Sequence, residues 1–292
     1  MDSSLKGWLT KASREGFAIG AFNAVNLEMV KGIVAAAQIT QSPLIIEASQ
    51  GEIEYFGFRN FLSVVKNLSS ETGLPIFTNL DHGKEIENVK KAIELGFDMV
   101  HFDGSDLGFE ENLRASLQMV ELAHQKGVLI EVEFEKIQGV SEKQEETAEE
   151  VLAKGELTDP DKAAGLLTQV KADILAVSIG NLHGVYRTAE EIDLLRLRRL
   201  AELLPCLMSL HGGSGINQEQ LKEAIGLGIV KINVNTDLRI AYRQTLENVL
   251  KGSDAVKVYQ LMPPVIASIQ KVVEEKIKLF GSEGKAVEIE RL

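Results

Sequence analysis

Three of the five histidines share one local setting, in which an apolar segment ends in His-Gly. They are His82, His183 and His211, and the glycine after each lets the backbone turn sharply and leaves room for a ligand. Three imidazoles around one open coordination position is the arrangement of a catalytic zinc site. A single histidine of this kind is more often a hydrogen-bonded core residue, but the threefold repeat favours a metal site. His101 lies inside an apolar segment and His124 inside a helical pattern, so for both we favour a structural role.

Asp81 directly precedes the first of these histidines. A carboxylate beside a metal site can exchange protons with a substrate. It can also orient a metal-bound imidazole by accepting a hydrogen bond from its other nitrogen. The sequence leaves both roles open.

Eight short apolar segments alternate with longer segments of helical periodicity. They span residues 17–22, 44–48, 76–80, 99–103, 129–134, 174–179, 207–210 and 230–234. Apolar runs of this length are typical of parallel strands that are buried on both faces. Eight strands alternating with helices predict a closed (β/α)₈ TIM barrel, with a doubly wound open sheet as the alternative. In a barrel, the three His-Gly motifs would meet at the carboxyl-terminal mouth.

The chain shows no linker inside this pattern, so we predict a single domain over residues 1–292. Extra C-terminal helix is expected over residues 256–279, outside the barrel. Residues 135–158, after the fifth strand, form a long loop with seven glutamates. Two interpretations remain open: a solvated insertion, or a mobile lid over the barrel mouth.

A phosphate site is predicted where the seventh and eighth strands end. Residues 210–216 form a glycine-rich turn, and Asn233 and Thr236 follow the last strand. Barrels often bind phosphate between these two loops, where backbone N–H groups can hold an anion. The alternative is that Asn233 and Thr236 only cap the next helix.

Composition excludes several classes of function. The 292 residues carry a net charge of −12, which argues against binding to nucleic acid or to anionic membranes. The only cysteine, Cys206, cannot form an intrachain disulfide, and residues 1–6 lack the apolar core of a secretory signal. Residues 203–218 form the longest uncharged run and are too few to span a bilayer. We therefore expect a cytoplasmic protein.

Several motifs together resemble the class II, metal-dependent fructose-bisphosphate aldolase family. The resemblance covers nearly the whole chain in order and spacing. Its motifs are residues 21–23, 81–83, 102–105, 109–112, 179–184, 211–215, 233–237 and 277–282.

The resemblance implies cleavage of a ketose 1,6-bisphosphate, with fructose 1,6-bisphosphate favoured, to dihydroxyacetone phosphate and glyceraldehyde 3-phosphate, as in glycolysis. Asp81 would be the acid/base. The implied Zn²⁺ ligands are His82, His183, His211 and Glu133. The implied substrate-binding residues are Gly184, Gly212, Ser214, Asn233, Asn235, Thr236 and Arg239, of which Arg239 would reach the far phosphate. A monovalent cation (Na⁺ or K⁺) near the other phosphate and a homodimer or homotetramer are also implied.

The loop after the fifth strand departs from the family pattern. Ser141 stands where the family has a proton-carrying glutamate, and Glu142 follows one residue later. We predict that a shift of the loop brings Glu142 in as a catalytic residue. Asn235 replaces the aspartate that accompanies fructose bisphosphate in the family, and the alanine that accompanies tagatose bisphosphate.

Two alternatives therefore stay open. One is an aldolase for another phosphorylated ketose, such as tagatose 1,6-bisphosphate or a deoxy-ketogluconate phosphate. The other is a degenerate family member that binds zinc and a sugar phosphate but catalyses weakly.

Overall fold

A closed parallel barrel dominates this computed structural model, which describes residues 3–287. The strands in chain order are β1 (Ile19–Asn23), β2 (Leu44–Ser49), β3 (Ile76–Gly83), β4 (Met99–Asp103), β5 (Leu129–Glu133), β6 (Gly139–Lys143), β7 (Ile174–Ala176), β8 (His183–Val185), β9 (Leu207–Leu210) and β10 (Ile229–Val234). Eight of them close in the order β1-β10-β9-β7-β5-β4-β3-β2, and β6 and β8 form a separate pair. Because β1 pairs with β10, the barrel prediction is confirmed and the open-sheet alternative is excluded.

Helices surround the barrel and cover its lower end. In chain order they are α1 (Leu5–Glu15), α2 (Leu27–Thr40), α3 (Gln50–Phe56), α4 (Phe58–Thr72), α5 (Ile86–Leu95), α6 (Phe109–Lys126), α7 (Ala148–Leu152), α8 (Pro160–Val170), α9 (Leu194–Leu203), α10 (Gln218–Gly226), α11 (Thr236–Gly252) and α12 (Val258–Phe280). Helix α12 is the predicted C-terminal addition, and it packs on α2 and α11. No helix within residues 3–287 is long and apolar enough to cross a bilayer.

The barrel interior changes from apolar to polar towards its carboxyl-terminal mouth. At the lower end, one apolar cluster joins α1 to inward side chains such as Ile45, Phe77 and Met99. Two residues further along these strands, the inward positions are Glu47, Asn79 and His101. The strands therefore do not present purely apolar inner faces. The inward-facing side chains that follow these, at the carboxyl ends of the strands, form the candidate site.

The sixth predicted strand is shorter than its apolar run. Residues 174–179 were expected to be extended throughout, but β7 ends at Ala176. Beyond it, the Ser178 amide bonds to the Thr158 hydroxyl instead of to a neighbouring strand. The chain thereby leaves the sheet and turns across the mouth towards His183.

The long loop after β5 is folded over the mouth rather than projecting into solvent. It contains β6 and the short helix α7, and β6 pairs with β8 through Gly139 and His183. Residues 135–158 therefore contact the strand that carries one of the predicted metal ligands.

Candidate active site

Nitrogen atoms of the three His-Gly histidines converge at the barrel mouth. His82 Nε2 lies 3.1 Å from His183 Nε2 and 3.0 Å from His211 Nδ1. His82, the last residue but one of β3, has a φ of +45°, a strained value for a residue with a side chain. Strain of this kind is found where a side chain is held for function.

Buried carboxylates hold the outer nitrogens of two of these rings. His82 Nδ1 lies 2.9 Å from Asp103 Oδ2, and His211 Nε2 lies 2.7 Å from Glu131 Oε1. If these outer nitrogens donate to the carboxylates, the inner nitrogens present lone pairs to one another. Such pairs repel unless a cation lies between them. Second partners of this type are usual for metal-bound histidine.

The spacing and charge of the cluster fit a metal ion. Ligand nitrogens in a tetrahedral zinc site lie about 3.3 Å apart, given Zn–N distances of about 2.0–2.1 Å. Burial lowers the pKa of His211 to about 3 and holds that of His183 well below its usual range. Burial also disfavours charge on His82, but Asp81 and Asp103 outweigh it and raise its pKa to about 10. One proton thus sits among three nitrogens, where a metal cation would replace it.

Asp81 lies beside this cluster with both of its oxygens fixed. Asn233 donates to Oδ1 (3.0 Å) and Asn23 donates to Oδ2 (3.1 Å). Oδ1 is 4.0 Å from both His82 Nε2 and His211 Nδ1. Burial raises the pKa of Asp81, but charge on His82 and the other neighbours overcome this and hold it well below its usual range. The carboxylate is therefore ionised and aimed at the cluster.

Glu133 lies on the opposite side of the His82 ring from the three converging nitrogens. Its Oε2 is 3.7 Å from His82 Nδ1 and 3.5 Å from His101 Nε2. Burial and the nearby charge of Asp103 raise its pKa to about 7. Two groups of the described side chains could hold a metal ion. One is Asp81, His82, His101 and His211, and the other is His82, Asp103 and Glu133. The three histidines and Glu133 therefore do not surround one point.

His101 is closer to the chemistry than the sequence suggested. Its ring is fully buried and packs against His82 and His211, with centroids 4.7 and 4.9 Å away. It accepts a hydrogen bond from the His82 backbone amide at Nδ1 (3.3 Å). His101 therefore supports the strained residue. His124, in contrast, lies at the other end of the barrel against Asp173.

The structure brings all seven predicted substrate-binding residues to the wall of one cavity. This cavity, of about 210 Å³, is also lined by Asp81 and the three histidines. A Cβ on Gly184 or Gly212 would collide with a backbone carbonyl, of Val140 and Leu182 respectively. Both glycines have positive φ, so the backbone can follow the cavity only because these residues lack side chains.

Helix α11 begins at the same wall. Thr236 is its first residue, and the Ser214 hydroxyl accepts a hydrogen bond from the Asp237 amide (3.3 Å). A helix N-terminus offers unpaired N–H groups and a partial positive charge to an anion. This side of the cavity suits a phosphate.

Arg239 and the loop strand β6 close the far side of the cavity. Arg239 Nη1 donates to the Ser141 carbonyl (3.0 Å), and both residues line the cavity. Glu142 is exposed and is not among the lining residues. Ser141 is half-buried at this wall, and the register of β6 against β8 is irregular between Gly139 and Lys143.

A buried charged network below the site was missed by sequence reasoning. Lys231 Nζ is 2.9 Å from Glu131 Oε2 and donates to Asn233 Oδ1 (2.6 Å). The network thus links the partner of His211 to the partner of Asp81. The sequence did contain a signal for this network. Glu131 and Lys231 are charged residues inside apolar strands, and each lies two positions before a predicted site residue, so its side chain must point to the same face of the strand as that residue.

A larger cleft, of about 770 Å³, lies at the other end of the barrel and is lined by Lys6, His124 and Asp173 among others. It contains none of the predicted site residues. Size therefore does not identify the site here, whereas the convergence of ionisable groups does.

Comparisons with known proteins agree with this geometry. The family described as "Fructose-bisphosphate aldolase class-II" matches residues 3–285. The fructose-bisphosphate aldolase of Thermus caldophilus is 37% identical, covering 95% of this chain and 97% of its own. That of Geobacillus stearothermophilus is 36% identical, covering 98% and 99%. The structure of the YdjI aldolase from Escherichia coli K12 is 31% identical with a TM-score of 0.84, covering 97% of this chain and 99% of that one. The chain belongs to the class II fructose-bisphosphate aldolase family.

Proposed function

We propose that this protein is a zinc-dependent aldolase that cleaves fructose 1,6-bisphosphate to dihydroxyacetone phosphate and glyceraldehyde 3-phosphate. One observation carries the proposal: three imidazole nitrogens and an ionised Asp81 face one cavity whose opposite wall suits a phosphate. Family membership supports the same reaction, as do the relatives that carry this name. The proposal also accounts for the buried charges beneath the site, because they orient these groups.

The family is metal-dependent, and the described residues include groups that could hold a metal ion. We assign Zn²⁺ to His82, His183 and His211, because three neutral imidazoles are a typical catalytic zinc set. Glu133 stays a predicted ligand only for the other group, which it forms with His82 and Asp103. The bound ion would act as a Lewis acid on the ketone. The monovalent cation implied by the family resemblance stays a prediction.

Asp81 takes the proton in the bond-breaking step. Cleavage requires that the C4 hydroxyl lose its proton, so that the C3–C4 bond breaks and the C4 fragment leaves as an aldehyde. An ionised carboxylate whose two oxygens are fixed by Asn23 and Asn233 can accept that proton without first rotating. A general base in this role contributes about 10²–10⁴-fold to the rate.

The glycine-lined wall fixes the substrate for that step. Gly184, Gly212, Ser214 and Thr236 surround the position that we assign to the phosphate nearest the ketone. Fixed backbone groups that hold the phosphate also hold C3 and C4 in place. The reacting atoms are then oriented before the reaction, which lowers the entropic part of the barrier.

The three-carbon fragment must then gain a proton at C3. Ser141 is a poor acid at neutral pH, and Glu142 is exposed and does not line the cavity. A slip of β6 by one residue against β8 would bring Glu142 to the position that Ser141 now occupies at the cavity wall. We therefore keep Glu142 as the proton carrier that this slip delivers.

Three wider predictions accompany this function. We propose one domain, because α1 and α12 both pack on the barrel that lies between them; residues 1–2 and 288–292 of the predicted span lie outside the described part. We also propose a homodimer or homotetramer, which light scattering after gel filtration would test. Location in the cytoplasm remains a prediction from the sequence.

The test is cleavage of fructose 1,6-bisphosphate by the wild type and by Asp81→Ala. We expect Asp81→Ala to keep its zinc and lose about 10²–10⁴-fold in kcat. Zinc content and melting temperature are measured on the same samples. Loss of zinc or of the fold would make Asp81 structural, and full activity would refute its role.

A further inference from the structure

A buried glutamate ties together four residues that line the cavity. Glu52, in the first turn of α3, accepts from the Ser49 amide and from Asn23 Nδ2 at Oε2, both at 2.9 Å. Its Oε1 accepts from Asn235 Nδ2 (3.1 Å) and from Arg239 Nη2 (2.7 Å). The Ser49 contact alone would make Glu52 a helix cap. The other three contacts cross to β1 and to the start of α11.

Arg239 is the only Lys or Arg side chain among the described residues that line this cavity. Within this cavity, it is therefore the described side chain that could offer a positive charge to a second anionic group on the substrate. Its guanidinium already donates to Glu52 and to the Ser141 carbonyl. Burial raises the pKa of Glu52, but Arg239 and the other donors reverse this and lower it, so the carboxylate is ionised.

The pair is therefore electrically neutral at the far end of the cavity. A phosphate that approached Arg239 would also approach the Glu52 carboxylate and would have to compete with it for the same guanidinium edge. Arginine binds phosphate strongly through paired N–H donors, and that arrangement is lost when a carboxylate holds one edge. An uncharged hydroxyl end meets no such competition.

We propose that Glu52 sets the specificity for the far end of the substrate, by neutralising Arg239 so that a ketose with a single phosphate is used about as well as a bisphosphate. The inference rests on the proposed aldolase function and narrows its substrate class. The phosphate nearest the ketone still binds to the glycine-lined wall. The far end then accepts polyhydroxyl chains without a second phosphate.

The experiment measures kcat/KM of the zinc-loaded enzyme for fructose 1,6-bisphosphate and for fructose 1-phosphate. Glu52→Gln keeps the shape of the side chain and removes its charge. We expect Glu52→Gln to raise the bisphosphate/monophosphate ratio at least tenfold. Adding Arg239→Gln to Glu52→Gln should return the ratio to near the wild-type value, since the site is then neutral again. Glu54→Gln, an exposed position on the same helix, is the matched control and should leave the ratio unchanged.

The outcomes separate this inference from the proposed function. An unchanged ratio in Glu52→Gln, with both sugars still cleaved, would overturn the inference and leave the aldolase function intact. If the wild type cleaves neither sugar, the proposed aldolase function is refuted. The role of Glu52 is then tested by calorimetry, as the ratio of the Kd values for the same two sugars in the wild type and in Glu52→Gln. If Glu52→Gln does not fold, the double variant is compared with Arg239→Gln alone. The double variant must then favour the bisphosphate at least tenfold more, and an equal ratio would overturn the inference.

Discussion

Replacing Asp103 by asparagine should weaken zinc binding through a change of histidine tautomer. Asp103 Oδ2 lies 2.9 Å from His82 Nδ1, while Oδ1 accepts two hydrogen bonds from Ser105, from its amide (3.1 Å) and its hydroxyl (2.6 Å). In Asp103→Asn the single carbonyl oxygen stays with the two Ser105 donors, because an NH₂ group cannot accept from them. The NH₂ group then faces His82 Nδ1, which must accept. The proton of the ring moves to Nε2, the nitrogen that faces the other two histidines.

The size of the effect follows from this conflict. Binding zinc requires His82 either to lose the new hydrogen bond or to draw the amide away from Ser105. Loss of such outer partners costs about 10–100-fold in metal affinity, or about 1.4–2.7 kcal/mol. Adding Ser105→Ala to Asp103→Asn removes one of the two competing donors, so it should recover part of the loss.

The assay is competition for Zn²⁺ against a chromogenic chelator at fixed pH. Asp106→Asn is the matched control, since Asp106 is an exposed neighbour whose salt bridges are to Lys84 and Lys136. An Asp103→Asn variant that binds zinc as tightly as the control would refute the tautomer argument. It would also weaken the assignment of His82 Nε2 to the metal.

Three further predictions follow from the site and its surroundings. Alanine at any one of the three converging histidines should abolish stoichiometric zinc, while His124→Ala should retain it; elemental analysis that found full zinc in all three variants would exclude this site. Glu142→Gln should lower turnover at least tenfold while Glu145→Gln does not, and equal, unimpaired turnover would mean that β6 keeps its register. Burial raises the pKa of Glu190 from 4.5 to about 8. Between these two pH values, the folded protein keeps a proton on Glu190 that the unfolded chain has released. Stability therefore falls as the pH rises from about 4.5 to about 8, and Glu190→Gln should remove part of this fall in melting curves measured across that range. Parallel curves for both proteins would contradict it.

The sequence predicted best those site residues that belong to short local motifs. The repeated His-Gly steps and the glycine-rich turn predicted both walls of the cavity, because strand ends in a barrel must meet at one mouth. The closed barrel was predicted from eight apolar segments that alternate with helical segments.

Partners that are distant in the chain could not be predicted in this way. Glu52 contacts residues that are 29, 183 and 187 positions away, and nothing near it in the sequence marks that role. The position of Glu142 depended on which way β6 faces, and that is set by pairing with β8, a strand of three residues that carries no pattern of its own. His101 was predicted to be structural because a histidine inside an apolar segment usually has a structural role. In the fold it packs against His82 and His211, which belong to the site.

Removal and return of the metal tests the central claim most directly. Zinc is stripped by a chelator, its loss is verified by elemental analysis, and cleavage of fructose 1,6-bisphosphate is followed by the appearance of dihydroxyacetone phosphate. We predict that cleavage falls to the uncatalysed background and returns on addition of stoichiometric Zn²⁺, while the fold is retained throughout. Full cleavage by protein that is verified to be free of metal would contradict the proposed function.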